Sequence, residues 1–215
     1  ANWARDLYND EESMNDILNH TNELIQKPIN NTDIINGFRG LFTYINGNKG
    51  FHRWGNLKYF LFEYELFLKS RALETNDKVS LADFYDTTIE HVIPQTYWTC
   101  WSDIVDEFTN PIEEELKNQA RKVLINTLGN LTILKNGKNS ALGNKSWIEK
   151  KERYRTGSYN EIEISNYLDW TLKSISERGF DMLKFMESKI SGLTFTKEDM
   201  KKALFYDDYI IQRFE

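Results

Sequence analysis

The chain has 215 residues with 6 Trp, 11 Tyr and 13 Phe but only 3 Pro and 11 Gly, which excludes a disordered or low-complexity protein and leaves enough length to bury a core. A net charge of −6 argues against an overall basic nucleic-acid-binding surface, and the single cysteine, Cys100, excludes an internal disulfide framework and a cysteine-based zinc knuckle. No long uncharged apolar run predicts a membrane span and "ANWARDLYND" lacks the plan of a signal peptide, so the expected location is the reducing cytoplasm, with Cys100 a small packing residue among the aromatics of "YWTCW".

In chain order, the period of Leu7, Met14, Ile17, Leu18, Leu24 and Ile25 predicts a helix over 3–26. Thr32 and Asp33 are cap candidates for a second helix reaching about residue 45, and "NGNKG" predicts a turn after it. A third helix is expected over 53–72. Its centre, "LKYFLFEYELFL", is apolar on nearly every side, the pattern of a buried core helix, and Glu63 and Glu65 are expected to reach the surface or bond a neighbour. "HRWGN" at 52–56 reads as a turn and helix start, and His20 and His52 as peripheral.

The middle of the chain changes character. The β-branched run "TIEHVI" predicts a strand. Pro111 and the three glutamates that follow predict a helix over 112–125, since proline is tolerated at a helix start and acidic side chains suit its positive end. Gly129 then interrupts the chain before "NLTILK", a second strand. Helices are expected over 142–154, 160–178, 180–190 and 196–213, the last opened by Thr196 with Asp199 three residues on. The fold class is therefore mainly α with a small strand, strand, helix unit embedded in it. The expected organisation is an N-terminal helical region over 1–80, a core over 81–158 with a helical insertion at 111–126, and a C-terminal helical region over 159–215, all in one compact unit.

Three features of the middle segment carry chemistry. In "IEHVIP", Glu90 stands beside His91. A neutral imidazole, titrating near pH ~6.5, can take a proton from water at neutral pH. A carboxylate oxygen suits a hard divalent ion, which needs few protein ligands because it keeps waters of its own. Neighbours in a regular strand point to opposite faces, so the pair shares one site only if the strand ends or distorts, as Pro94 suggests. In "LGNLTIL", the Asn130 amide is placed to bond across to the histidine loop and hold the imidazole. From Lys135 to Arg155 there are seven basic residues against two acidic ones, a local excess of five that leaves −11 on the rest. Such cations can bind phosphates.

A carboxylate–histidine pair, then "GNL", then an asparagine at the edge of a helix resembles the HNH, or His-Me finger, nucleases. More narrowly, "IEHVIPQ", "LGNLTIL" and "NSALGNKSWIEKKERY", with "LKYFLFEYE" upstream, resemble the C-terminal nuclease domain of GmrSD-type, modification-dependent restriction endonucleases, over roughly residues 50–160. The resemblance implies a ββα-metal unit with His91 as general base and Asn130 positioning the histidine loop. It implies Glu90 and Asn139 at a Mg²⁺ or Mn²⁺ ion, with Asn136 and Asn144 as the other amides of that stretch, and Lys138, Lys145, Lys150, Lys151 and Arg153 toward nucleic acid. Two departures from the family pattern are the long gap from His91 to Asn130, which holds an extra helix, and the three asparagines of 136–144, which leave Asn136 and Asn144 as alternatives to Asn139 at the metal. The partner domain's Asp-Gly-Gln-Gln-Arg type motif is absent from the sequence, which implies a C-terminal fragment or separately encoded subunit whose nucleotide-binding recognition partner lies elsewhere. The implied activity is metal-dependent cleavage of DNA, modified phage DNA above all, in a prokaryotic anti-phage system. The competing expectations are a non-catalytic α-helical interaction module with a degenerate finger, and an RNA-cleaving nuclease.

Overall fold

The computed structural model describes residues 29–43, 50–135, 138 and 142–204, together with Asp16 and Ile210. The helix expected over 3–26 and most of the turn at 46–50 lie outside the described residues. What is described is mainly α-helical, with one two-stranded sheet.

Helix α1, Asn31–Thr43, begins one residue before the expected caps, because the Asn30 side chain rather than Thr32 takes the first free N–H, that of Thr32. A 3-10 turn, Gly50–Arg53, leads into α2, Leu57–Arg71, which buries Leu57, Phe60, Leu61, Phe62 and Tyr64 as its apolar centre predicts. Glu65 on the same helix is also buried. Its carboxylate accepts from the backbone N–H groups of Tyr159 and Asn160 and from the Asn160 amide, at 2.7, 2.7 and 2.8 Å. Burial pushes its pKa up, and those donors oppose the shift.

A single turn, α3 (Leu81–Phe84), held by a Ser80–Asp83 capping box, leads to β1, Thr87–His91. The excursion before the second strand holds two helices: α4, Ser102–Thr109, and α5, Glu114–Asn126. Only the second was predicted, since "SDIVDEFT" spans barely two turns. Cys100 is exposed rather than packed, because the next residue, Trp101, takes the buried position. A 3-10 turn at Leu128–Asn130 feeds β2, Leu131–Lys135, which pairs antiparallel with β1 in the register Thr87↔Lys135 to His91↔Leu131. Leu131 to Leu134 are all buried, so helices cover both faces of the hairpin.

The chain continues through α6 (Trp147–Tyr154), α7 (Tyr159–Ser165), α8 (Leu172–Lys189) and α9 (Lys197–Leu204). Thr196 and Asp199 exchange the capping bonds expected of them. The break expected at Gly179 lies instead at 166–171, where Thr171 and Ser174 open α8 with a capping box. Gly179 sits within a continuous helix for reasons of space. A Cβ there would meet Leu204 Cδ1 at 2.8 Å, and one on Gly129 would meet the Ile175 carbonyl at 2.0 Å. The two glycines let the turn before β2 lie directly on α8. Gly129→Ala is therefore expected to lower stability by about 1–3 kcal/mol or more, since backbone must move. Gly179→Ala meets only a flexible side-chain end and should lower it less. Urea unfolding of the two variants checks the order.

Arg178 of α8 is fully buried under the same turn. It donates to the carbonyls of Gly129 (2.9 Å) and Leu131 (2.7 Å), to Asn160 Oδ1 (3.1 Å) and to Glu163 Oε2 (2.9 Å). Among the described residues no helix is long and apolar enough to cross a membrane.

Candidate active site

The ladder of β1 stays regular to its end. His91 pairs with Leu131, and the Val92 N–H donates to the Asn130 carbonyl at 2.9 Å. Glu90 and His91 consequently project to opposite sides of the hairpin and meet different partners.

On one side, the Glu90 carboxylate accepts from Lys150 Nζ of α6 at 2.5 Å. Lys150 also donates to the carbonyls of His91 and Val92, both at 3.0 Å, and is 0% exposed. Its ammonium thereby ties down the strand end from which the histidine projects. Burial pushes the Glu90 carboxyl up and the Lys150 ammonium down, and their mutual attraction opposes both shifts. This corrects two expectations. Glu90 is committed to a cation of the protein itself rather than offering oxygens to a metal, and Lys150 has no solvent access with which to reach a phosphate.

On the other side lies the imidazole. His91 is 6% exposed, but its surroundings are polar. Its Nε2 is 3.1 Å from Asn126 Oδ1, at the end of α5. The Asn126 amide is itself oriented, because its Nδ2 donates to the Lys122 carbonyl at 2.9 Å. One ring nitrogen of His91 is thus within hydrogen-bond distance of a fixed amide oxygen. The exposed Gln95 amide stands 3.5 Å from Nε2, and the ring of half-buried His52 lies 4.7 Å away, centroid to centroid. His52, expected to be peripheral, therefore lies beside His91. Neither it nor Asn126 carried a signal in the sequence, since 39 and 35 residues separate them from His91 and only the packing of the 3-10 turn and α5 brings them in.

Asn130 has all its bonding capacity engaged. Its Oδ1 accepts from the Ile93 N–H at 2.8 Å and from Trp170 Nε1 at 3.2 Å. Its Nδ2 donates to the carbonyls of Ile93 (3.1 Å) and Ile125 (2.8 Å). The amide clamps the loop two residues beyond His91, while Asn126 holds the imidazole itself. Asn130→Ala would leave several buried groups without partners, at about 1–3 kcal/mol each, so a steep fall in the urea midpoint is expected.

A family model matches residues 32–185, well over half the chain, described as GmrSD restriction endonucleases, C-terminal domain. The chain belongs to that family. Comparison with curated proteins and with solved structures returned no match. As a GmrSD C-terminal domain it is a restriction-endonuclease-related, nuclease-type unit.

Within this GmrSD domain three members of the basic run, Lys138, Lys150 and Lys151, are committed to the fold. Lys138 pairs with buried Glu161 and donates to the Arg153 carbonyl at 3.1 Å. Lys151 donates to the carbonyls of Tyr167 and Leu168 and lies over the Trp147 ring. Lys145 makes a surface pair with Glu149 at 3.1 Å, and Arg153 is exposed. Asn136 and Asn139 lie outside the described residues, and Asn144 accepts from the Thr96 hydroxyl. No cluster of three or more His, Cys, Asp or Glu is present among the described residues.

Proposed function

We propose that the domain is a DNA endonuclease or nickase of a restriction system in which His91 is the general base. The observation that carries this reading is the setting of the His91 ring at the end of β1, 3.1 Å from an oriented amide oxygen of Asn126 and beside the amide of exposed Gln95. In the proposed reaction the His91 imidazole takes a proton as water adds to phosphorus, and the Asn126 oxygen stabilises the imidazolium that forms. The P–O bond to the leaving sugar oxygen then breaks, and that oxygen takes a proton from solvent.

Of the five cations the resemblance points to nucleic acid, Lys145 and Arg153 are proposed as phosphate contacts. Arg153 is exposed, and a surface pair such as Lys145–Glu149 is weak enough to be exchanged for a phosphate. Mg²⁺ or Mn²⁺ is proposed as cofactor on the family resemblance alone. When bound, such an ion stabilises charge on the phosphate oxygens. We further propose a cytoplasmic setting, modified foreign DNA as target and a separate recognition partner. The second reading, a non-catalytic docking module, draws support from the commitment of Glu90 to Lys150.

The deciding experiment is nicking of supercoiled plasmid, modified and unmodified, by the full chain with Mg²⁺, Mn²⁺ or EDTA, beside His91→Ala and a duplex RNA substrate. Cleavage that needs His91 supports the nuclease. A folded wild type that leaves both nucleic acids intact, even with a recognition subunit supplied, favours the docking module. Preferential RNA cleavage reassigns the substrate.

A further inference from the structure

We propose that Trp98 is a nucleobase-stacking contact, the aromatic platform on which an unpaired base of the bound strand rests close to His91. This inference rests on the reading of the domain as a nuclease. Trp98 is 66% exposed, although Trp101 in the same turn is buried. The turn that presents it is fastened on both sides. The Thr96 hydroxyl donates to the Asn144 side chain. The Trp101 N–H closes back on the Tyr97 carbonyl at 2.9 Å, and its indole donates to the Lys145 carbonyl at 2.9 Å. The Tyr97 ring meets the Trp98 ring edge-on, 5.3 Å between centroids. The exposed indole is thus held out from an anchored backbone, so little freedom is lost when a flat partner settles on it.

Its surroundings specify that partner. Gln95, three residues before Trp98, has its amide 3.5 Å from His91 Nε2. Three residues span at most about 11 Å, roughly three steps of a nucleic-acid strand at about 3.4 Å each. A strand with its scissile phosphate at His91 therefore has bases within reach of the indole. The bond from Trp101 brings the backbone of Lys145, a proposed phosphate contact, to the same turn. An aromatic face beside a cation is how single strands are held, the ring taking a base and the charge taking the backbone. Along the turn the other exposed residues, Thr96, Thr99 and Cys100, are small. They do not give the indole the broad apolar surround of a protein interface.

The test measures binding of the full chain, carrying His91→Ala to prevent cleavage, to a labelled single-stranded DNA oligonucleotide and to a strand of equal length whose sugars carry no bases. Trp98→Ala, Trp98→Leu and Trp98→Phe are compared with Lys145→Ala. Alanine and leucine at 98 are expected to raise Kd for the oligonucleotide about 5- to 100-fold, and phenylalanine to recover most of the loss. The baseless strand should bind equally with and without the indole. The slope of log Kd against log salt should hold in the Trp98 variants and shrink by about one in Lys145→Ala, since stacking releases no counterions. An unchanged Kd in the folded alanine or leucine variant would overturn the proposal. So would a leucine variant as tight as phenylalanine, or an equal loss on the baseless strand, either of which would make Trp98 a plain apolar contact. A parent chain that does not bind the oligonucleotide overturns it as well, whereas the nuclease reading falls only if wild-type plasmid nicking is also absent.

Discussion

Replacing Lys150 with alanine is expected to destabilise the folded chain by about 3–5 kcal/mol at neutral pH. The loss arises because the buried Glu90 carboxylate would be left without its cation and the carbonyls of His91 and Val92 without their donor. Burial already holds the Glu90 carboxyl above its ordinary value of 4.5, and Lys150 is the main influence opposing that shift. Without the lysine the folded-state pKa rises further. As pH climbs through the ordinary carboxylate range, the unfolded chain ionises this group while the folded chain resists, so the folded form holds the extra proton. Its stability therefore falls as pH rises. The deficit of Lys150→Ala should be smaller at pH 4 than at pH 7. The double variant Glu90→Gln, Lys150→Met, which removes both charges, should recover part of it. Urea unfolding at the two pH values reads all of this. A Lys150→Ala deficit below 1 kcal/mol at pH 7 would show that the pair is solvated in solution.

His91→Ala is expected to reduce nucleic-acid cleavage by about 10²- to 10⁴-fold, the usual contribution of a positioned base, with no matching loss of stability. The structural grounds for separating the two effects are specific. Among the ring's neighbours are the amides of Asn126 and Gln95 and the ring of His52, while the strand end is held by Lys150 and the following loop by Asn130. Deleting the imidazole leaves both backbone restraints in place. Parallel melting and plasmid-nicking curves check the prediction, and equal loss in both would mean that the ring is structural.

Much of the architecture was legible from local pattern. The third predicted helix, the strands around "TIEH" and "LTIL", the helix behind Pro111 and the Thr196 cap all appear within a few residues of their expected bounds. The short helix Ser102–Thr109 and the joint at 166–171 were not legible. Glycine at 179 looks like a breaker until the close approach of the turn at 129 is seen.

The site divides along the same line. Asn130 reads as a loop organiser because "GN" at a strand start is a local signal. The Lys150–Glu90 ion pair and the His52–Asn126–His91 cluster arise from chain segments dozens of residues apart. A run of lysines carries no mark showing which members will turn inward. Lys150 faces the core at the first turn of α6, while its neighbours Glu149 and Lys151 stay nearer the surface. That one-residue change of face converts an expected phosphate contact into part of the scaffold.

Trp170 and Arg178 stand well downstream of the hairpin, yet the indole of one bonds the Asn130 amide and the guanidinium of the other satisfies the carbonyls on either side of it. The hairpin is therefore not a portable cassette. A graft limited to residues 81–158 would arrive with its amide clamp one donor short and two main-chain oxygens unmet. To transplant the arrangement around His91 into another host, the stretch through α8 would have to travel with it.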